Sequence, residues 1–422
     1  MRRQRALVIG GSLGGLFAAH LLRAIGWEAV VFERIADDLA SRGVGIGTHD
    51  ALGDVMRRIG LAVDDTMGVA VRSAICLDRA GRITHEMPIF RVMSACRPLK
   101  DALPAQFYRP GKTLTRIEQD AGSITAIFAD GTRETGDLLI GADGIRSTVR
   151  EQVRPDSQPC YAGYVAWRAV AEEAELSDQF RPIFQRYSFC LPEGEMVLAY
   201  PVPGRDGDTR PGRRGYNVVW YRPVDFTTTL PAMCTDVTGR CHGVAIPPPL
   251  IRAEVVAAAR EAAMALLAPA IAEIVLRTAQ PFFQAIFDFE TPQMAFGRVV
   301  LLGDAAFVAR PHVGAGVTKA AVDAVALADA IAAAPDLAAA LERYAALQMG
   351  LGSAIVARGR RMGAYLGARL KPPDMRGADE RTRNTFAVMR EHSAKIKFIR
   401  PDTTGHASGQ LRPDTRLDYH YD

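Results

Sequence analysis

Three glycine-rich segments hold the residue types best suited to chemistry. The first is Gly10-Gly11-Ser12-Leu13-Gly14-Gly15. Set against the spacing G-x-G-x-x-G, Gly10 supplies a tight turn and Gly15 lets a helix lie close to a strand. The middle position, where backbone approaches a pyrophosphate, holds Ser12 instead of glycine. Its short hydroxyl side chain is expected to cap the helix or bond the phosphate. The helix start at Leu13 then turns free N–H groups and a favourable dipole towards the anion. Glu33 stands at the end of the next strand, where a carboxylate accepts from ribose hydroxyls. Together these residues predict a dinucleotide site.

The second segment runs from Gly136 to Arg150 and places Asp143-Gly144 after a buried strand and before a basic helix start. The third begins at Gly297, reaches Gly303-Asp304 after a strand, and continues through Arg310-Pro311-His312-Val313-Gly314-Ala315-Gly316 into a helix carrying Asp323. This is a second anion-facing turn. Asp304 is expected to accept from a ribityl hydroxyl. The amides of Gly314, Ala315 and Gly316 are expected to stabilise negative charge on a reduced flavin ring.

The elements that position these turns follow from hydrophobic period. Residues 6–9 and 29–32 are short apolar strands around a helix at 13–25, a βαβ unit that implies a parallel sheet. Residues 123–128, 137–140, 160–170, 196–202, 216–221 and 299–302 read as strands, and 204–215 as a polar loop. Residues 253–277 and 317–333 read as helices, as do 337–370 with a break near Gly350-Leu351-Gly352. One more helix is expected within 384–399, then a loosely attached tail from 401.

Composition narrows the function classes. The chain has 422 residues, 48% hydrophobic and 23% charged, with a net charge of +4. That suits a globular protein of more than one domain. No basic stripe is present, so nucleic acid is not an expected partner. The six cysteines form no CxxC pair, so no metal site is expected and reduced thiols in a cytoplasm are. No long uninterrupted apolar stretch occurs, so no membrane span is expected.

The order of the three glycine motifs resembles the FAD-dependent aromatic hydroxylases of the para-hydroxybenzoate hydroxylase type, over roughly residues 5–345. Residues 161–168, 199–205 and 309–312 further resemble members that act on hydroxylated N-heterocycles. The resemblance implies an α/β fold: a dinucleotide-binding parallel sheet for FAD, an inserted, mainly β-sheet substrate domain, and C-terminal helices. The FAD domain would comprise 1–75, 95–155 and 285–345, the substrate domain 76–94 and 156–284, and the C-terminal part 346–422. It implies FAD contacts at Gly10, Ser12, Leu13, Gly15, Glu33, Arg34, Arg42, Leu114, Asp304, Gly314, Ala315 and Gly316. NADH or NADPH would reduce the flavin without a binding motif of its own, and dioxygen would be delivered to the ring as a flavin 4a-hydroperoxide. The sequence departs from the family pattern at Phe307, often His, and at Thr318, commonly Asn. The position of Arg97 also departs, two residues before Leu99.

The resemblance implies a base or acceptor beside the substrate hydroxyl. His312 and His49 are the candidates, with Tyr200 as a further catalytic-site residue. Tyr200, Trp220 and Tyr221 would wall the cavity, unless they are core. Tyr164 and Arg168 share one face of their strand and Tyr161 and Trp167 the other; sequence does not say which face lines the site. Alternatives on the same frame are a flavin reductase or halogenase, or a FAD-binding ligand sensor or resistance protein without turnover. A homodimer is compatible with the sequence.

Overall fold

The computed structural model describes residues 3–36, 46–47, 49–62, 68–94, 97–204, 207–367, 371, 373–375, 377 and 384–394. The expected phosphate contact Arg42 and the tail from 401 lie outside these residues, and the side chain of Arg97 is likewise outside the description.

The first layer is a six-stranded sheet in the order Ala295–Phe296, Val299–Leu301, Leu138–Gly141, Arg5–Ile9, Glu28–Phe32, Tyr108–Arg109. Its central strands are parallel, and Arg5–Ile9 lies between Leu138–Gly141 and Glu28–Phe32. Covered on both faces, these strands read as continuous apolar runs such as Val299–Leu301 and Leu138–Gly141, each wholly buried. Helix Leu13–Ala24 packs against helix Gly316–Ala333. They come close because a Cβ at Gly14 would already lie 3.5 Å from that of Ala320.

The second layer is a nine-stranded sheet, antiparallel but for the pairing of Tyr187–Cys190 with Gly68–Leu77. Its centre is Cys160–Glu172, Gly215–Pro223 and Met196–Val202. Strand period 2 sorts the aromatics onto two faces. Trp167, Trp220 and Phe283 pack under helices Ala253–Leu266 and Pro269–Arg277. Tyr164, Tyr187, Tyr200 and Tyr221 pack with Tyr365, Val388 and Met389 of the C-terminal helices. Trp220 therefore does not wall the same space as Tyr200 and Tyr221; it is core, its indole N–H donating to Glu195 at 2.7 Å. A smaller three-stranded sheet, Leu114–Gln119, Ile124–Phe128 and Arg133–Gly136, flanks the first layer.

Two expected helices differ from the sequence reading. The stretch 253–277 is two helices, because Pro269 lacks an N–H and holds Ala268 extended at φ −58°, ψ 140°. Conversely, the break expected at Gly350-Leu351-Gly352 does not occur: Leu337–Gly367 is one helix of 31 residues. The glycines serve close packing. A Cβ at Gly352 would stand 2.4 Å from the Phe307 ring, and one at Gly363 2.3 Å from the Tyr164 hydroxyl. The short C-terminal helix Thr385–Ser393 is capped by Asn384, whose side chain accepts from the N–H groups of Phe386 and Ala387. Among the described residues, no helix is long and apolar enough to cross a membrane.

The long helix supplies a matched test. Gly350 has open space at its Cβ position, so Gly350→Ala should raise stability by up to about 1 kcal/mol through helix propensity. Gly352→Ala should instead lower it by about 1–3 kcal/mol through overpacking against Phe307. Denaturant unfolding of the two variants checks this; equal shifts of the same sign would mean the glycines are interchangeable.

Candidate active site

The three glycine turns meet at one edge. Ile9 is in register with Gly141 and Gly141 with Leu301, so each turn leaves the same end of adjacent parallel strands. That is where an open α/β sheet binds ligands. At the first turn Gly10 has φ +111°, and a Cβ there would meet the Ala142 carbonyl oxygen at 2.3 Å. A Cβ at Gly15 would meet the Gly10 carbonyl oxygen at 1.9 Å. Ser12 is the exposed N-cap residue, but its hydroxyl makes no cap bond, so of its two expected roles only the outward-facing one is open. The first helical bond runs from Leu16 N–H to Ser12 O at 3.0 Å, leaving the N–H groups of Leu13, Gly14 and Gly15 at the turn outside the ladder.

Glu33 is buried and braces this turn. One carboxylate oxygen accepts from Gly11 N–H at 2.7 Å and the other from Ile35 N–H at 2.9 Å. Each retains a lone pair for a ribose hydroxyl. Arg34 is exposed just beyond it, and Leu114 is buried opposite Phe128.

Asp143 and Arg150 tie the second turn to the third. Asp143 accepts from the Ser147 hydroxyl at 2.5 Å and from Val149 N–H at 3.1 Å, and burial pushes its carboxyl up. Arg150 donates to Ala305 O at 3.1 Å and to Ile145 O at 2.6 Å. At the third turn, Gly303 N–H donates to Asp323, which also receives Lys319 Nζ at 2.7 Å; Lys319 reaches Gly303 O at 3.1 Å. This buried ion pair fixes the turn on which Asp304 stands. Asp304 itself is solvent-accessible and has no hydrogen-bond partner among the described residues, while the protein around it raises its carboxyl pKa through desolvation.

Beyond it the chain turns at Gly314, φ +59°, into helix Gly316–Ala333. The first bond of that helix joins Lys319 N–H to Ala315 O, which leaves the N–H groups of Gly316, Val317 and Thr318 at its open end. Among the described residues, a Cβ at Gly316 would meet nothing within 4 Å, and the Thr318 hydroxyl is buried without a partner. Two helix N-termini, an unpartnered Asp304 and a carboxylate at Glu33 fit the polyanionic, polyhydroxylated body of FAD.

The histidines are engaged by protein. His49 Nε2 lies 3.0 Å from the Gly314 carbonyl, which can only accept, so that nitrogen carries the proton. Burial, and then the charge of Arg91, lower its pKa to about 4. His312 sits between Tyr164 and His392. His392 Nδ1 donates to Val388 O at 2.8 Å, so its Nε2 accepts, at 3.5 Å, from His312 Nδ1. His312 Nε2 then accepts from the Tyr164 hydroxyl at 2.8 Å. Burial holds His312 well below the usual imidazole range. A substrate oxygen could reach His312 only by displacing one of these partners. Tyr200 is buried, stacks on Tyr187 at 5.2 Å, and has its hydroxyl pKa raised by burial.

Sequence reasoning missed Arg91, Tyr187 and His392. The only local signal at Arg91 was a lone cation near the end of an otherwise apolar strand segment, residues 87–94.

The sequence matches the family described as FAD binding domain-like over residues 161–288. It is 31% identical to the 2,6-dihydroxypyridine 3-monooxygenase of Paenarthrobacter nicotinovorans, over 77% of this chain and 82% of that one. The solved 2,6-dihydroxypyridine-3-hydroxylase of Arthrobacter nicotinovorans superposes with a TM-score of 0.80 at 29% identity, covering 87% of this chain and 93% of that one. Klebsiella pneumoniae HpxO, solved with FAD and uric acid, matches at a TM-score of 0.71 and 25% identity over 92% of each chain. With this level of identity along most of its length, and three glycine turns leaving the same end of adjacent strands, the chain belongs to the FAD-dependent aromatic monooxygenases.

Proposed function

We propose that this enzyme hydroxylates a small hydroxylated N-heterocycle of the hydroxypyridine type in preference to a simple phenol. The observation that carries the reading is the opposition of two surfaces. The loop that opens helix Gly316–Ala333 meets the tyrosine face of the second sheet: the His312 and Tyr221 ring centres are 4.2 Å apart, and Arg91 lies 3.8 Å from the Cβ position of Gly314 and 5.5 Å from the centre of the Tyr187 ring. The names of the relatives, which act on a dihydroxypyridine or bind uric acid, point the same way. One oxygen atom of O2 enters a ring C–H bond and the other leaves as water, with NADH or NADPH supplying two electrons. Bound FAD supplies the electrophilic oxygen for this exchange.

The chain's own residues perform the positioning. Glu33 and Asp304 would accept from the hydroxyls of the cofactor, and the N–H groups of Gly316 to Thr318 would stabilise negative charge on its ring. His49 holds the Gly314 carbonyl and so sets the height of that loop. The buried tyrosine face excludes water from the ring. The free thiols Cys76, Cys160, Cys190, Cys234 and Cys241 suit a reducing compartment, in keeping with a cytoplasmic enzyme.

A panel of hydroxypyridines and phenols, given to the FAD-loaded enzyme with NADH and NADPH, tests this. Hydroxypyridines should drive coenzyme oxidation matched by hydroxylated product. Oxidation yielding only hydrogen peroxide, or product from phenols alone, would reject it. Asp304→Ala should weaken FAD retention by about 10- to 100-fold, the range for a hydrogen bond to a charged group. The flavin-to-protein absorbance ratio after gel filtration reads this directly, and full occupancy would mean Asp304 does not hold the cofactor.

A further inference from the structure

Arg91 lies where the two layers face each other, although it comes from strand Ile83–Ser94 near the edge of the second sheet. Its Nη1 approaches within 3.8 Å of the place a Cβ would take at Gly314, and within 3.9 Å of that at Gly47. The guanidinium is 5.5 Å from the centre of the Tyr187 ring, which stacks on Tyr200. It therefore stands between the loop that faces the flavin ring and the aromatic wall.

Its bonding is incomplete. Nη2 donates to His392 O at 2.8 Å and, at 3.5 Å, to Ala394 O, both at the C-terminal end of helix Thr385–Ser393. Among the described residues, no carboxylate pairs with it and Nε and Nη1 have no hydrogen-bond partner. A half-buried guanidinium satisfied only by carbonyls is incompletely compensated, since its planar fork matches a pair of anionic or carbonyl oxygens. Three other polar groups nearby already have partners. Tyr164 and His312 bond each other, and Arg168 Nε holds Gln284 at 3.4 Å.

We propose that Arg91 receives the ionised ring oxygen of the substrate through its Nη1 edge, and so selects anionic hydroxylated heterocycles over neutral rings of the same shape. This rests on the hydroxylase reading above and specifies which form of the substrate the site takes. Binding to a guanidinium favours the ionised ring, the form whose carbons are richest in electrons for attack by an electrophilic oxygen. It also pins one substituent, so the ring presents a fixed carbon to the flavin side.

The test uses the FAD-loaded enzyme and two probes, 2,6-dihydroxypyridine and 2,6-dimethoxypyridine, the second unable to ionise. Perturbation of the flavin absorbance gives a dissociation constant for each with wild type, Arg91→Met and Arg91→Lys. Arg91→Met should weaken the dihydroxy probe by about 10- to 100-fold, as expected for a charge-assisted bond, and the dimethoxy probe by less than about threefold. Arg91→Lys keeps the charge and should fall between, which also covers a methionine variant that fails to fold. Equal weakening of both probes would reduce Arg91 to a brace for helix Thr385–Ser393 and overturn the assignment. Unchanged binding of both would overturn it too. Should neither probe perturb the wild-type flavin while phenols do, the heterocycle reading falls and the assignment with it. Tight dihydroxypyridine binding insensitive to Arg91 would remove the assignment alone.

Discussion

Everything in this protein depends on three backbone turns leaving adjacent parallel strands at one height. Ile9, Gly141 and Leu301 are fixed side by side by the sheet ladder, so Gly10, Ala142 and Leu302 emerge together, with Gly303 one residue further on. The first turn has no room for a side chain: a Cβ at Gly10 or Gly15 would overlap carbonyl oxygens. The third is held by charge. Lys319 and Asp323 are one helical turn apart and both buried, and between them they bond the N–H and carbonyl of Gly303. A buried pair of this kind is weak evidence for stability, since desolvation offsets most of the attraction. Its value here is in geometry, because the pair bonds both the N–H and the carbonyl of Gly303 and so holds the turn from two sides.

A second consequence concerns charge. The two histidines placed near the site by their sequence positions are both held neutral at ordinary pH, His49 by burial and Arg91, His312 by burial and its neighbours. Positive potential around these histidines therefore comes from fixed charges such as Arg91, Arg358 and Arg310 rather than from a titrating imidazole. On the proposal made above, such a site would attract an anionic ring without a pH-dependent switch near neutrality.

The parts legible in the sequence were those governed by local rules. The glycine turns, the strand Met196–Val202 and the helix at 317–333 follow from steric need and hydrophobic period within a few residues. Gly352 was misread because a glycine inside a helical pattern has two meanings, and only the Phe307 ring, 45 positions away in the chain, decides between them. Trp220 and Tyr221 are neighbours on one strand and must point to opposite faces, so strand parity alone could have removed one of them from the wall. Arg91 meets the carbonyl of a residue 301 positions later, and no local pattern encodes that contact.

The C-terminal helix Thr385–Ser393 also settles the direction of a proton chain. The Val388 carbonyl can only accept, and that single fact orients His392, then His312, then Tyr164. The Tyr164 proton consequently points at His312, and burial raises its pKa further above the ordinary tyrosine range. Tyr164 is wholly buried against Gly363, so it neither offers a proton to a ring in the cleft nor receives one from it. The chain locks the C-terminal helix to the sheet and to the loop before Gly314. Tyr164 and His312 are thereby spoken for by each other, which leaves favouring the ionised substrate to the role proposed above for Arg91, beside Gly314 and Tyr187.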